Sequence, residues 1–351
     1  MEKVPFAFQL DGRPVSLSRC DSGHINTTFF LETDSGARYI LQKVNRQVFR
    51  NVPALMSNIQ AVTNHLWNKD PDERRVLRLV PTLDGGSYAV DEQGEFWRVF
   101  VFIRDSVCLD KANTAEEFYE SGIAFGRFQS LLSDFPADKL AETIPGFHDT
   151  IGRYRKFHEA LSGDPEHRAQ DVKPEIDLFL AREEEASQMV RMLLSGELPL
   201  RVTHNDTKLN NVLLDASTGK PLCVIDLDTV MPGLCGNDFG DSIRFGASTA
   251  VEDERDLSRV SLSLPMFEAY TRGFLSACGK SLTPLELETL PLAAKLITLE
   301  CGLRFLTDYL EGDVYFRIHR PGQNLDRSRT QLQLVLDMER KFGEMQRIVN
   351  L

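Results

Sequence analysis

Apolar and polar positions along the chain form short strand-like runs at first and then change to helical spacing. Thr27 to Glu32 is a short apolar run, the turn Asp34-Ser35-Gly36 follows, and Arg38 to Val44 resumes with Tyr39-Ile40-Leu41. Two runs joined by a glycine-containing turn predict a hairpin. Leu55, Met56, Ile59, Val62 and Leu66 recur three and four residues apart, which predicts one helix over about residues 53–67. Further strands are expected at Ser87–Val90 and Trp97–Ile103, with the turn Glu92-Gln93-Gly94 between them. After Asp105 the pattern becomes helical. Phe118, Phe125, Phe128, Leu132 and Phe135 mark one face of an amphipathic helix, and helices are expected within 149–162, 174–195, 255–278, 284–310 and 328–348. One β-like patch interrupts them: Leu213-Leu214 and Cys223-Val224-Ile225 around the turn Ser217-Thr218-Gly219-Lys220. The order predicts an α+β protein of two lobes, a β-rich one over 1–104 and a larger helical one over 105–351.

Composition narrows the class. At 351 residues, with 42% hydrophobic and 26% charged residues, the chain suits a folded soluble enzyme of one large or two medium domains. A net charge of -12 argues against non-specific nucleic-acid binding, which needs phosphate-neutralising basic surface. The six cysteines are scattered without a C-x-x-C pair, as expected of reduced thiols. Met1 to Phe8 lacks the apolar core of a secretory signal, and Leu290 to Leu306 is interrupted by Lys295, Glu300 and Arg304. A cytoplasmic enzyme, bound to neither membrane nor nucleic acid and without an evident obligate protein partner, is the expectation.

The densest chemistry lies in His204-x-Asp206-x-Lys208-x-x-Asn211, followed across a hairpin-like break by Val224-Ile225-Asp226-Leu227-Asp228. Phosphoryl transfer requires a carboxylate to accept or orient a hydroxyl proton, and oxygen ligands for a magnesium ion bridging the phosphates. Asp206 and Asn211, five residues apart, can share one tight loop, one facing the nucleophile and the other the metal. Asp226, at the end of an apolar strand, completes the metal site, with Asp228 a second ligand. Lys208 can reach the transferring phosphoryl group and offset its charge. His204 is expected to buttress the loop. An ordinary polar turn uses the same residue types, but Asp226 at suitable spacing favours the catalytic reading. The triplet Asp238-Phe239-Gly240 resembles the metal-binding triplet of protein kinases, yet it begins 32 residues after Asp206. Asp238 and Asp241 are expected instead to brace the catalytic loop.

The nucleotide-binding signals are thinner. Asp21 to Thr28 contains Gly23, His24 and Asn26 and can fold over phosphates through backbone N–H groups; a hairpin turn is the alternative. Lys43 is the cation expected against the α- and β-phosphates, and a one-residue shift of register puts Gln42 there instead. No acidic residue occurs from Val48 to Lys69, so the lysine–glutamate pair of protein kinases is absent or replaced by amides such as Asn58 and Gln60.

Together these strings resemble the aminoglycoside phosphotransferase–choline kinase superfamily, which has the protein-kinase fold and phosphorylates small molecules. Ser22-Gly23-His24-Ile25-Asn26, Tyr39 to Asn45, His204 to Asn211, Ile225 to Gly233 and Arg304 to Leu310 are similar to bacterial N-acetylhexosamine 1-kinases. The resemblance implies ATP and Mg2+ as cofactors and the anomeric hydroxyl of N-acetylglucosamine or N-acetylgalactosamine as acceptor. It also implies Asp206 as base, Asn211 and Asp226 as metal ligands, and Arg304 as a contact for the sugar's incoming phosphate. Asp308, Tyr309 and Tyr315 have the polar and aromatic character of a sugar site, although Tyr309 also fits a helical core face and Arg304 with Asp308 an i,i+4 pair. His148-Asp149 is a second candidate patch. Two alternatives stand beside this reading: a kinase of an amine-bearing acceptor such as an aminoglycoside or choline, and a catalytically inactive binding protein of the same fold.

Overall fold

The computed structural model describes residues 3–20 and 25–350. Strands β1 (Pro14–Cys20), β2 (Thr27–Thr33) and β3 (Arg38–Lys43) precede helix α1 (Val52–Lys69), and β4 (Ala89–Val90) and β5 (Phe96–Val101) follow it. They form one antiparallel sheet in the order β1-β2-β3-β5-β4. The hairpin read from the pattern is β2–β3, with Thr28 opposite Gln42 and Leu31 opposite Tyr39. Strand β1, Pro-Val-Ser-Leu-Ser-Arg-Cys, has too little apolar content to stand out and is recruited by its pairing with β2.

The remainder is mostly helical: β6 (Ser106–Cys108), α2 (Ala115–Leu131), α3 (Thr150–Gly163), α4 (Lys173–Leu180), α5 (Glu183–Ala186), α6 (Gln188–Leu194), β7 (Arg201–Thr203), β8 (Val212–Asp215), β9 (Pro221–Val224), β10 (Met231–Gly233), α7 (Cys235–Gly246), α8 (Leu264–Cys278), α9 (Pro284–Leu310), α10 (Gln323–Arg340) and α11 (Phe342–Val349). The chain thus has the protein-kinase-like α+β arrangement, an antiparallel sheet first and a helical region after it. Several boundaries differ from the pattern. The segment 174–195 is three short helices, residues 255–263 are not α-helical, and the last helix begins at Gln323 and breaks at Lys341.

Two capping boxes set helix starts: Thr114 with Glu117 at α2, and Thr283 with Glu286 at α9. Helix α1 joins the sheet to the helical region. Leu55, Met56, Ile59 and Val62 are fully buried in a core that also contains Val44 and Phe100 from one side and Phe128, Leu132, Leu227 and Val230 from the other. Each such side chain contributes about 1.5–3 kcal/mol of apolar burial. The same helix carries Asn58, whose amide donates to Ala141 O (2.7 Å) and Val230 O (3.0 Å) and accepts from Ala141 N (2.9 Å). Asn58 therefore ties α1 to the helical region and does not stand in for a glutamate opposite a lysine.

Candidate active site

The loop between β7 and β8 is held from behind by α7. Asp238, fully buried, accepts hydrogen bonds from the backbone N–H of His204 (2.8 Å) and Asn205 (2.8 Å) and from Gln129 Nε2 (2.7 Å). Thr207 donates its backbone N–H to Asp241 (3.0 Å) and its hydroxyl to Asp238 O (2.6 Å). Asp241 is also gripped by Arg244 at 2.9 Å. Asp238 and Asp241 are thus bracing residues, as their spacing implied. His204 Nε2 bonds Ile225 O at 2.9 Å and its ring packs edge-on against Phe125 and Phe128, so it joins the loop to the segment after β9 that carries Asp226.

On this platform Asp206, Lys208 and Asn211 converge. Lys208 Nζ lies 2.7 Å from Asp206 Oδ1, and Asn211 Nδ2 donates to Asp206 Oδ2 at 3.0 Å and to Asp206 O at 2.8 Å. Burial disfavours the charge on Lys208, but Asp206 and Asp241 outweigh it and raise its pKa, so it stays a cation. With Nδ2 so engaged, Asn211 Oδ1 accepts no hydrogen bond from a described residue.

Asp226 sits in the left-handed region (φ 59°), a conformation rare for a residue with a side chain. Water reaches its carboxylate, although protein surrounds it more widely. The loss of hydration there, then the nearby Asp228 and Asp206 charges, raise its pKa to about 6. A divalent cation would relieve that crowding. The donor set fits: one carboxylate and one free amide oxygen are hard ligands, and no group of three or more His, Cys, Asp or Glu suited to a metal occurs among the described residues. Magnesium, which keeps several waters and relies on substrate phosphates, suits so sparse a set.

Asp228 is placed differently from its expected role. It is buried, with Oδ1 2.5 Å from Arg98 Nη1 and Oδ2 accepting from Asn26 Nδ2 at 2.6 Å. Arg98, 1% exposed, also donates through Nε (3.0 Å) and Nη2 (2.8 Å) to Gln42 Oε1, directly across the β3–β5 register. Both oxygens of Asp228 are therefore committed to the sheet, and the second-ligand role is withdrawn. Successive strand residues point to opposite faces, so Gln42 shares the face of Arg98 and Asp228 while Lys43 points away, 3.9 Å from Glu95. Asn26 and Gln42 are structural in this arrangement, and the cation on the face that meets Asp228 is Arg98. Sequence reasoning missed it. Its signal was a lone arginine inside the apolar run Trp97 to Ile103, a charge that needs a buried partner. Gly23 and His24 lie outside the described residues.

The C-terminal candidates divide. Arg304 lies between the rings of Phe147 (5.5 Å) and Phe316 (5.4 Å), with Tyr315 packed on Phe316 and 65% exposed. Asp308 accepts the backbone N–H groups of Val314, Tyr315 and Phe316 at 2.7–3.0 Å and Asn324 Nδ2 at 2.9 Å. It shapes the turn that presents Tyr315 and has little capacity left for a ligand; the expected substrate contact is corrected on that ground. Tyr309 packs under Arg168 (4.6 Å), away from Arg304, and is corrected likewise.

Known proteins share this architecture. The microcompartment-associated aminopropanol kinase superimposes with a TM-score of 0.65 at 17% identity, over 97% of this chain and 95% of its own. An aminoglycoside phosphotransferase from Alicyclobacillus acidocaldarius gives 0.65 at 12% identity, over 100% and 96%. The amicoumacin kinase hAmiN, in complex with AMP-PNP, Ca2+ and Ami, gives 0.60 at 14% identity, over 93% and 90%. At such identities the likeness establishes the fold. The model of the phosphotransferase enzyme family matches residues 16–268, which include the loop with Asp206 and Asn211, the segment with Asp226 and the helix α7 that braces the loop, and the chain belongs to that family.

Proposed function

We propose that the protein is an ATP- and magnesium-dependent small-molecule kinase that phosphorylates the anomeric hydroxyl of an N-acetylhexosamine. One observation carries the phosphotransfer reading: Asp206 is fixed between Lys208 and Asn211 on a loop whose backbone is bonded to two buried aspartates. A base so held needs no reorganisation when the acceptor arrives. Asp206 Oδ2 orients the acceptor hydroxyl and takes its proton. An anomeric hydroxyl is more acidic than an ordinary alcohol, so a carboxylate suffices. Lys208 stays charged beside Asp206 and offsets negative charge at the transferring phosphoryl. Asn211 and Asp226 would hold magnesium, which would supply positive charge to offset that of the nucleotide phosphates. The nucleotide analogue and divalent cation of the amicoumacin kinase agree with this cofactor pair. The choice of sugar rests on the sequence resemblance and on Arg304 between two aromatic rings.

Incubation with ATP, Mg2+ and N-acetylglucosamine or N-acetylgalactosamine should give a 1-phosphate, identified by phosphorus–proton coupling in NMR. Asp206→Asn should lower kcat by about 10²- to 10⁴-fold. Phosphate on another oxygen refutes the anomeric assignment, and full activity of Asp206→Asn refutes the base.

A further inference from the structure

The segment 141–149 runs from the metal-side loop to α9. Thr143 Oγ1 donates to Asp228 O (3.3 Å), the Phe147 ring lies against Arg304, and His148 Nδ1 is 3.1 Å from Glu300 Oε1. Glu300 is 3% exposed in α9, buried beside Leu296, Leu299 and Leu303 of the same helix. Three polar atoms in this cluster are buried without a partner: His148 Nε2, Glu300 Oε2 and Arg153 Nε. Arg153 is anchored through Nη2 to Phe147 O at 2.8 Å. Buried polar atoms in native proteins are nearly always paired, so three orphans on adjoining side chains call for a bound group. We propose that His148, Glu300, Arg153 and Arg304 form the acceptor-recognition subsite, built for a neutral, hydroxyl- and amide-bearing acceptor and against an ammonium-bearing one. This inference rests on the small-molecule kinase reading above.

The hydrogen-bonding complement defines the ligand. Burial opposes ionisation of Glu300, but His148, Arg304 and Arg153 beside it outweigh that and lower its pKa. An ionised carboxylate only accepts, which sets a proton of His148 on Nδ1. The subsite therefore offers one acceptor, Glu300 Oε2, one donor, Arg153 Nε, and one free ring nitrogen, His148 Nε2. Hydroxyl groups, which both donate and accept, and a ring or carbonyl oxygen complete it. The charges oppose the alternative. Arg153 lies near two carboxylates, Glu300, which His148 engages, and Asp149, which accepts from Gly152 N at 3.0 Å at the start of α3. The neighbouring Asp308 is filled by backbone N–H groups, and Glu311 pairs with Lys156 at 3.0 Å. The open carboxylate oxygen, Glu300 Oε2, has Arg153 and Arg304 beside it, and their charges oppose an ammonium group there.

The test uses N-acetylglucosamine and glucosamine, which differ at one nitrogen, neutral in the first and cationic in the second. The wild type should prefer the acetylated sugar. Glu300→Gln and His148→Ala should each raise the KM for that acceptor by about 10- to 100-fold, the loss expected for one charge-assisted hydrogen bond, and leave the KM for ATP unchanged. Thermal midpoints of both variants report whether they fold, and His148→Gln should recover part of the loss by supplying a polar atom. Saturation-transfer NMR of the wild type and Glu300→Gln with each sugar reads binding independently of turnover. Sugar phosphorylation with acceptor KM unchanged in folded variants overturns the subsite and leaves the kinase reading intact. Preference for glucosamine, or binding of neither sugar, overturns the subsite's chemistry, whereas loss of ATP turnover with every acceptor while N-acetylglucosamine still binds through Glu300 overturns the kinase reading alone.

Discussion

Replacing Arg98 by methionine tests how the sheet is fastened to the catalytic region. The substitution keeps most of the apolar bulk and removes four hydrogen bonds, one to Asp228, two to Gln42 and a weak one to Met56 Sδ. Asp228 is then a buried charge with Asn26 as its remaining side-chain donor among the described residues. Breaking a buried ion pair by deleting one partner costs about 3–5 kcal/mol, because the survivor is left uncompensated, while removing both partners is often close to neutral. Arg98→Met and Asp228→Asn should each lower the unfolding free energy by about that amount, and the double variant should lose no more than either alone. A double-mutant cycle of urea-unfolding free energies should therefore give a coupling of about 3–5 kcal/mol. The KM for ATP should rise in all three variants, since Asp226 lies two residues from the fastening point. Additivity of the two single effects within about 0.5 kcal/mol would refute the reasoning.

Asp238→Asn places an amide among backbone N–H donors, so at least one buried donor loses its acceptor, at about 1–3 kcal/mol, and kcat should fall more than the KM for ATP; a variant with wild-type kcat contradicts the bracing role. Gly273→Ala should destabilise by about 1–3 kcal/mol, because its Cβ would strike Tyr119 O where α8 crosses α2, and an unchanged thermal midpoint would count against that close crossing. Asp337 accepts from Lys341 (2.7 Å), Arg340 (2.9 Å), Ser261 (2.8 Å) and Leu262 N (2.7 Å). Burial opposes its charge, but these bonds prevail and hold its pKa down at about 2. A depressed carboxylate stabilises above its unfolded pKa of about 3.9 and loses that contribution as pH falls through the folded value. The deficit of Asp337→Asn should accordingly be full at neutral pH and shrink between about pH 4 and about pH 2; a deficit independent of pH contradicts it.

Local pattern determined much of this protein. The β2–β3 hairpin, α1, α2 and the 27-residue α9 follow from apolar spacing, a turn and two capping boxes, all short-range physics. The convergence of Asp206, Lys208 and Asn211 on one loop was legible because they lie within six residues of each other in the chain. Tertiary structure decided the rest. Helix α7 reads as a loop, Cys-Gly-Asn-Asp-Phe-Gly-Asp, because two glycines and three Asx residues disfavour helix; it forms because Gly240 lets it approach the backbone of α9 at Ala293 and because its aspartates are filled by the loop they brace. Arg98 and Asp228 lie 130 residues apart; their pairing commits Asp228 to the sheet, while Lys43 points to the opposite face. Glu300 and His148 meet across 152 residues and look, in sequence, like an interruption in a helix and a polar turn. Spacing along the chain governs which side chains share a loop or a helix face. Which buried charges satisfy each other depends on how distant elements pack, and in this protein that packing selects the groups available to nucleotide, metal and acceptor.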